Sequence, residues 1–226
     1  MYIYRQISKM LKNLFEVSTA PNSLGNKFRQ KRIQHFKNLI ANLPRPINIL
    51  DVGGNEMFWE NASFANNDDY RITILNLTQN PTKYSNLVSV SGNALDLSQY
   101  GQNEFDVVFS NSVIEHVYTK ENQIKMANEI MRVGRTFYVQ TPYKHFFVEA
   151  HYILPFIQYA GKKTQYFILT KTPLSRMKKW DKTHAKNYTE EIRLLTKKEM
   201  KEFFPEAKFF NEKFLGMTKS ITAYHF

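Results

Sequence analysis

The sequence has no cysteine among its 226 residues. That excludes a disulfide framework, a thiolate nucleophile and any cysteine-ligated zinc site. It also lacks an uninterrupted apolar run of about 18 residues, the length a membrane-spanning helix needs. The N-terminus shows neither the apolar core nor the small-residue cleavage site of a secretory leader, so a cytoplasmic setting is the expectation. Acidic residues are in deficit: 20 Asp and Glu stand against 31 Lys and Arg, a formal net charge of +11. No internal repeat or low-complexity tract interrupts the chain.

What is present suits one domain with an elaborated end. Hydrophobic residues make up 42% of the chain and the mean hydropathy is -0.47, enough apolar material for a sizeable core in a water-facing protein. The positive charge is concentrated. Between Lys162 and Lys186 lie eight bases against Asp181 alone, a net seven of the eleven excess charges. Such a block favours an anionic partner: a phosphorylated substrate, a nucleic acid or an acidic membrane face. A plain solvated surface is the alternative.

Residues 3–15 place Ile3, Ile7, Met10, Leu11, Leu14 and Phe15 at helical spacing between Arg5, Lys9 and Lys12. This predicts a basic amphipathic helix that either packs on the domain or touches a membrane surface. A loop follows, so residues 1–26 read as an N-terminal appendage and 27–226 as the main domain. A second helix carries Phe28, Arg32, Phe36, Leu39, Ile40 and Leu43, and is closed by Pro44 and Pro46. Strands and helices then alternate: INILDV (47–52), a short helix from Glu56, RITILNL (71–77), NLVSVSGN (86–93), FDVVFSNS (105–112), the helix KENQIKMANEIMRV with a stripe of Ile124, Ala127, Ile130 and Met131, and RTFYVQTP. Alternation of this kind implies crossover connections and a doubly wound, mostly parallel α/β sheet covered on both faces. The end differs. A helix with Thr196 as N-cap and Glu199 completing a capping box leads into two strands with no helix between them, which must pair as an antiparallel hairpin.

The chemistry centres on INILDVGGNEMFW (47–59), a buried strand running into Gly53 and Gly54. In a doubly wound sheet the ligand lies beyond the carboxyl ends of the strands, so glycine is wanted there. The dinucleotide pattern G-x-G-x-x-G fails, because Asn55 and Phe58 occupy its second and third glycine positions. No Gly-Lys-Ser/Thr of a phosphate loop follows.

These landmarks instead resemble, in order, those of the class I S-adenosylmethionine-dependent methyltransferases, over about residues 28–142. Asp51 to Met57 stand where that family has D-x-G-x-G-x-G, Asn76 where it has an acid for the ribose hydroxyls, and Gly92-Asn93-Ala94 where it has Gly-Asp-Ala against the adenine amine. FDVVFSNSVIEHV resembles its fourth strand, in the style of the small-molecule and glycan methyltransferases. The resemblance implies a seven-stranded sheet and S-adenosylmethionine as cofactor, held by Asp51, Gly53, Gly54, Asn55, Asn76, Leu77, Asn93, Ala94 and Asn111. Amides at 76 and 93 in place of acids predict weaker binding, because a neutral hydrogen bond contributes about 0.5–1.5 kcal/mol against about 1.5–3 for a charged one. Arg29 and Arg32 are either partners of the cofactor carboxylate or ordinary surface arginines.

If the acceptor is a hydroxyl, its proton needs a base. His116 follows the fourth strand, and His145, Glu149 and His151 follow the fifth. His116 and His151 are the expected catalytic pair, with Glu149 orienting. A metal held where Glu149 and His151 converge with His116 is the alternative, but the spacing matches no trusted metal motif, so no metal is expected. Residues 152–188 read as a lid whose apolar and basic residues suit a small-molecule or glycan acceptor with anionic character. An RNA methyltransferase and a degenerate, non-catalytic binding fold are the alternatives.

Overall fold

The computed structural model describes residues 24–226, so the expected helix at 3–15 lies outside the described residues. The first element is helix α1 (Leu24–Ile40). It buries Ile33, Phe36 and Ile40, spaced so that they share one face. Strand β1 (Ile47–Val52) follows; five of its six residues are buried, as expected of a strand covered on both faces.

The chain then makes α2 (Glu56–Asn61), β2 (Tyr70–Asn76), β3 (Leu87–Ser91), β4 (Phe105–Asn111), a 3-10 turn (Ile114–His116), α3 (Lys120–Val133) and β5 (Gly134–Pro142). A short antiparallel pair, β6 (Val148–Glu149) and β7 (Leu154–Pro155), precedes α4 (Lys162–Lys171) and α5 (Lys182–Glu191). The last elements are α6 (Lys197–Phe203), β8 (Lys208–Phe214) and β9 (Met217–His225).

The main sheet has seven strands in the order β3-β2-β1-β4-β5-β9-β8. Strands β1 to β5 run parallel, with Ile49 facing Val107 and Val108 facing Phe137, whereas β9 is antiparallel to both β5 and β8. Leu215 and Gly216, both at positive φ (49° and 79°), turn the closing hairpin as two-residue primed turns require. The capping box is formed: Thr196 accepts from the Glu199 amide while the Glu199 carboxylate accepts from the Thr196 amide.

Two cores lie on the two faces of the sheet. One joins α3 and α6 to β1, β4 and β5 through Met126, Ile130, Phe203 and Val139; the other joins α1 and α2 through Phe36 and Trp59. In α3 the buried face is centred on Gln123, Met126, Ala127, Ile130 and Val133, while Ile124 and Met131 of the expected stripe are only partly buried. The face is rotated because Gln123 goes inward to satisfy backbone carbonyls, a task an apolar count does not reveal.

Residues 152–191 carry a core of their own: Tyr152, Leu154, Ile157, Leu169, Trp180 and Ala185. Helix α5 extends this segment to Glu191, three residues past the expected boundary at 188. Among the described residues no helix is long and apolar enough to cross a membrane.

Candidate active site

Strand order reverses between β1 and β4, and the crevice beyond their carboxyl ends is where an open α/β sheet binds ligands. A cavity of about 560 Å³ opens there, within the roughly 300–1,000 Å³ usual for cofactor sites. Its walls include Gly53, Asn76, Leu77, Asn93 and Ala94 from the β1, β2 and β3 ends, and Val113, His116 and Glu191 opposite.

The glycine pair is required for two separate reasons. Gly53 sits at φ +78°, and a Cβ there would fall 2.6 Å from a Val113 methyl. At Gly54 a Cβ would land 1.6 Å from Asp51 Oδ2, because the Asp51 carboxylate folds directly beneath the turn. Asp51 is 1% exposed and its Oδ2 accepts from Trp59 Nε1 at 2.6 Å, while Oδ1 has no partner. Burial raises its pKa to about 7, with the Trp59 hydrogen bond pulling the other way.

Neighbouring polar residues hold this turn. Asn76 Nδ2 donates to the Gly54 carbonyl at 2.9 Å, and Asn76 itself lines the cavity. Asn93 Oδ1 accepts from the Leu95 amide in a local Asx turn. Asn55 caps α2 by accepting from the Phe58 amide, and neither it nor Asp51 nor Asn111 lines the cavity. Leu77 and Tyr118 are 79% and 56% exposed at the cavity wall, two large apolar surfaces that no sequence feature had singled out as a pair.

The predicted His and Glu residues come together at one end. His116, on the 3-10 turn after β4, faces Glu191 of α5 through Nδ1 at 2.7 Å. His151 Nδ1 faces Glu149 Oε1 at 2.6 Å, and the two imidazole Nε2 atoms approach to 3.2 Å. Burial works against a charged His151, yet Glu149 beside it and Glu115 hold its pKa above the ordinary value. The loop is constrained to do this. Glu149 Oε2 accepts from the Tyr152 amide and the Glu149 carbonyl from the Ile153 amide, and Ile153 stands at φ 53°. A β-branched residue in that region costs about 1–3 kcal/mol, a strain characteristic of functional turns. His145 lies apart, bonded to Tyr159 at 2.9 Å.

Glu115, Glu191, Gln123 and Lys219 were not anticipated. Glu115 is fully buried with Oε2 accepting from Thr141, and burial raises its pKa. Gln123 donates from Nε2 to the carbonyls of Ile114 and Arg193, tying α3 to the turn that bears His116. A second cavity of about 130 Å³ shares Ser112 with the first and is lined by Arg29, Arg32, Gln140, Glu149 and Lys219. Arg32 donates to buried Glu212 at 2.6 Å, so it is neither a surface arginine nor in the first cavity. Burial lowers the Lys219 pKa to about 8, offset in part by Glu212 3.8 Å away.

Residues 50–136 match the model of the methyltransferase domain family. Over that segment, under half of the chain, the sequence is similar to the methyltransferase domains. No curated protein matches the sequence. Solved structures share the fold at low identity. The chain resembles the CurJ carbon methyltransferase with TM-score 0.58 and 9% identity, over 99% of this chain and 68% of that one. It also resembles the Burkholderia thailandensis 1,6-didemethyltoxoflavin-N1-methyltransferase with bound S-adenosylhomocysteine (TM-score 0.53, 14% identity, 99% and 88% covered). A third is an S-adenosylmethionine-dependent methyltransferase from Methanosarcina mazei (0.50, 13%, 83% and 94%). The chain spans as little as 48% of one matched structure. The cavity fits the cofactor this family uses: a Cβ-free backbone turn lies on its floor and exposed apolar side chains form part of its wall.

Proposed function

We propose that the enzyme transfers the methyl group of S-adenosylmethionine to a hydroxyl of a small-molecule or glycan-type acceptor that carries negative charge. The observation that carries this reading is that Ser112 lines both cavities, with His116 on the wall of the larger and Glu149, which holds His151, on the wall of the smaller. Bound in the larger cavity, the cofactor supplies a methyl group already activated by its sulfonium. Gly53, Asn76, Leu77, Asn93 and Ala94, which line that cavity, hold the cofactor; Gly54 completes the turn beside Gly53, Asp51 supports the turn from below, and Asn55 fixes the helix that follows. Asn111 ends β4 and does not line the larger cavity.

The smaller cavity takes the acceptor. Arg29, Arg32 and Lys219 bring three cations to it, offset by Glu149 on its wall and Glu212 behind Arg32. His116 and His151 then activate the hydroxyl by drawing off its proton, and Glu149 holds the His151 ring. Positioning and exclusion of water supply much of the remaining acceleration.

The test uses isotopically labelled S-adenosylmethionine with a panel of hydroxyl-bearing carboxylates and phosphates, beside their uncharged and amine counterparts. Label on oxygen of the anionic members, with KM raised about tenfold or more by Lys219→Met and cofactor affinity unchanged, is the expected result. Transfer only to amines or to neutral acceptors would overturn it.

A further inference from the structure

The contact between His116 and His151 poses a chemical problem. A carboxylate only accepts hydrogen bonds, so Nδ1 of each ring carries its hydrogen toward Glu191 or Glu149. In a neutral imidazole the other nitrogen is then bare. Two bare Nε2 lone pairs therefore face each other at 3.2 Å, with the ring planes 82° apart. That arrangement is repulsive unless positive charge stands between them.

A third group points to the same place. Glu115 is 0% exposed, its Oε2 is occupied by Thr141, and its Oε1 has no partner. One carboxylate oxygen of Glu115 and one nitrogen of each histidine lie within 4.8 Å of one another. A shared proton would quiet the two nitrogens and leave the buried carboxylate oxygen unsatisfied, at a cost of about 1–3 kcal/mol or more. One metal ion satisfies all three atoms.

The spacing agrees. At metal–nitrogen distances of about 2.0–2.1 Å, two neighbouring imidazole nitrogens stand about 2.9 Å apart in an octahedral shell and about 3.4 Å in a tetrahedral one; the observed 3.2 Å falls between. Metal-bound histidines ordinarily pass their other N–H to a carboxylate, which fixes the ring and strengthens the ligand. Glu191 and Glu149 already stand in that position.

We propose that Nε2 of His116, Nε2 of His151 and the free carboxylate oxygen of Glu115 bind one divalent transition-metal ion. Imidazole donors select zinc, iron, cobalt or nickel over magnesium and calcium, which prefer oxygen. Three protein ligands leave coordination positions open, the pattern of catalytic sites, and His116 and Glu191 border the cofactor cavity. With the ion bound, its effect replaces the direct proton transfer to the imidazoles given under the proposed function: it lowers the pKa of a hydroxyl that joins its shell, and the proton leaves to water. Ion binding is measured with no cofactor or acceptor present, so this site and the methyl-transfer reading fail separately.

The full chain, stripped with a chelator and dialysed, is titrated with zinc by calorimetry and with cobalt(II) by visible spectroscopy. One equivalent bound at micromolar affinity or tighter, with cobalt d–d bands and no response to magnesium, is the expected result. His116→Gln and Glu115→Gln each weaken binding at least about tenfold, and His145→Gln leaves it unchanged, with circular dichroism confirming the fold. His116 is the more exposed of the two histidines, so its variant carries the test if a His151 variant does not fold. Affinity no tighter than millimolar in the wild type, or tight binding that His116→Gln and Glu115→Gln retain, would overturn the site.

Discussion

The side-chain amide of Asn76 donates to the carbonyl of Gly54 at 2.9 Å and pins the glycine turn on the cofactor cavity's floor. A carboxylate at this position would set a negative oxygen against that carbonyl. The amide is thus matched to this turn, although the resemblance alone would read it as a loss. Asn76→Asp should raise the dissociation constant for S-adenosylhomocysteine about threefold to tenfold, the equivalent of one net hydrogen bond. Calorimetric titration of the variant checks this; tighter binding would show that ribose contacts outweigh the hold on the turn.

The two glycines should respond differently. Gly53→Ala meets both an unfavourable φ and the Val113 side chain, so a larger residue there strains the fold as well as the site. Gly54→Ala drives its Cβ into the Asp51 carboxylate, which has no room to retreat from Trp59. Both should lower the melting temperature, by about 1–3 kcal/mol of stability. Pairing Gly54→Ala with Asp51→Ala should recover part of that loss, and thermal melts of the single and double variants measure the coupling.

Asp51 predicts a pH dependence. Its folded pKa of about 7 lies above the unfolded carboxylate value near 3.8. The folded chain therefore keeps this proton over a window in which the unfolded chain has released it. The stability contribution is complete below about pH 4 and is lost as pH rises through about 7, to the extent of a few kcal/mol. Asp51→Asn keeps an acceptor for Trp59 and removes the titration. Denaturant unfolding from pH 4 to pH 8 should show a shallower decline for the variant than for the wild type.

Gln123 acts on the site through the backbone. Its loss strands the carbonyls of Ile114 and Arg193 and removes one of the two acceptors of the Arg193 guanidinium, the other being Glu199. Gln123→Leu should cost about 1–3 kcal/mol of stability. Turnover should fall by a larger factor than cofactor affinity, because the turn bearing Glu115 and His116 is what moves. Parallel measurement of kcat and of the cofactor dissociation constant separates the two.

Much of the architecture was legible in local pattern. INILDV and FDVVFSN are nearly continuous apolar runs because both faces of their strands are covered, and the structure buries them side by side. Thr196 and Glu199 announce their helix start, since a capping box involves only residues three apart. The hairpin followed from the absence of any helix between the last two strands. The inward face of α3 was misjudged at Gln123, where hydrogen bonding to distant carbonyls overrides the apolar stripe.

The candidate site was legible only in part. His116, Glu149 and His151 were expected at the carboxyl edge because strand direction fixes which loops emerge there. Their contacts were not, for a physical reason. His116 meets Glu191 across 75 positions and His151 across 35, and no periodicity encodes such distances. They are set by the packing of Tyr152, Leu169 and Trp180, which orients α5, and by the strained turn at Ile153. Residue type and alternation thus determine the sheet, its faces and the position of its ligand crevice. Which carboxylate backs which imidazole, and which buried oxygen is left without a partner, is decided only when the inserted helices close over the sheet.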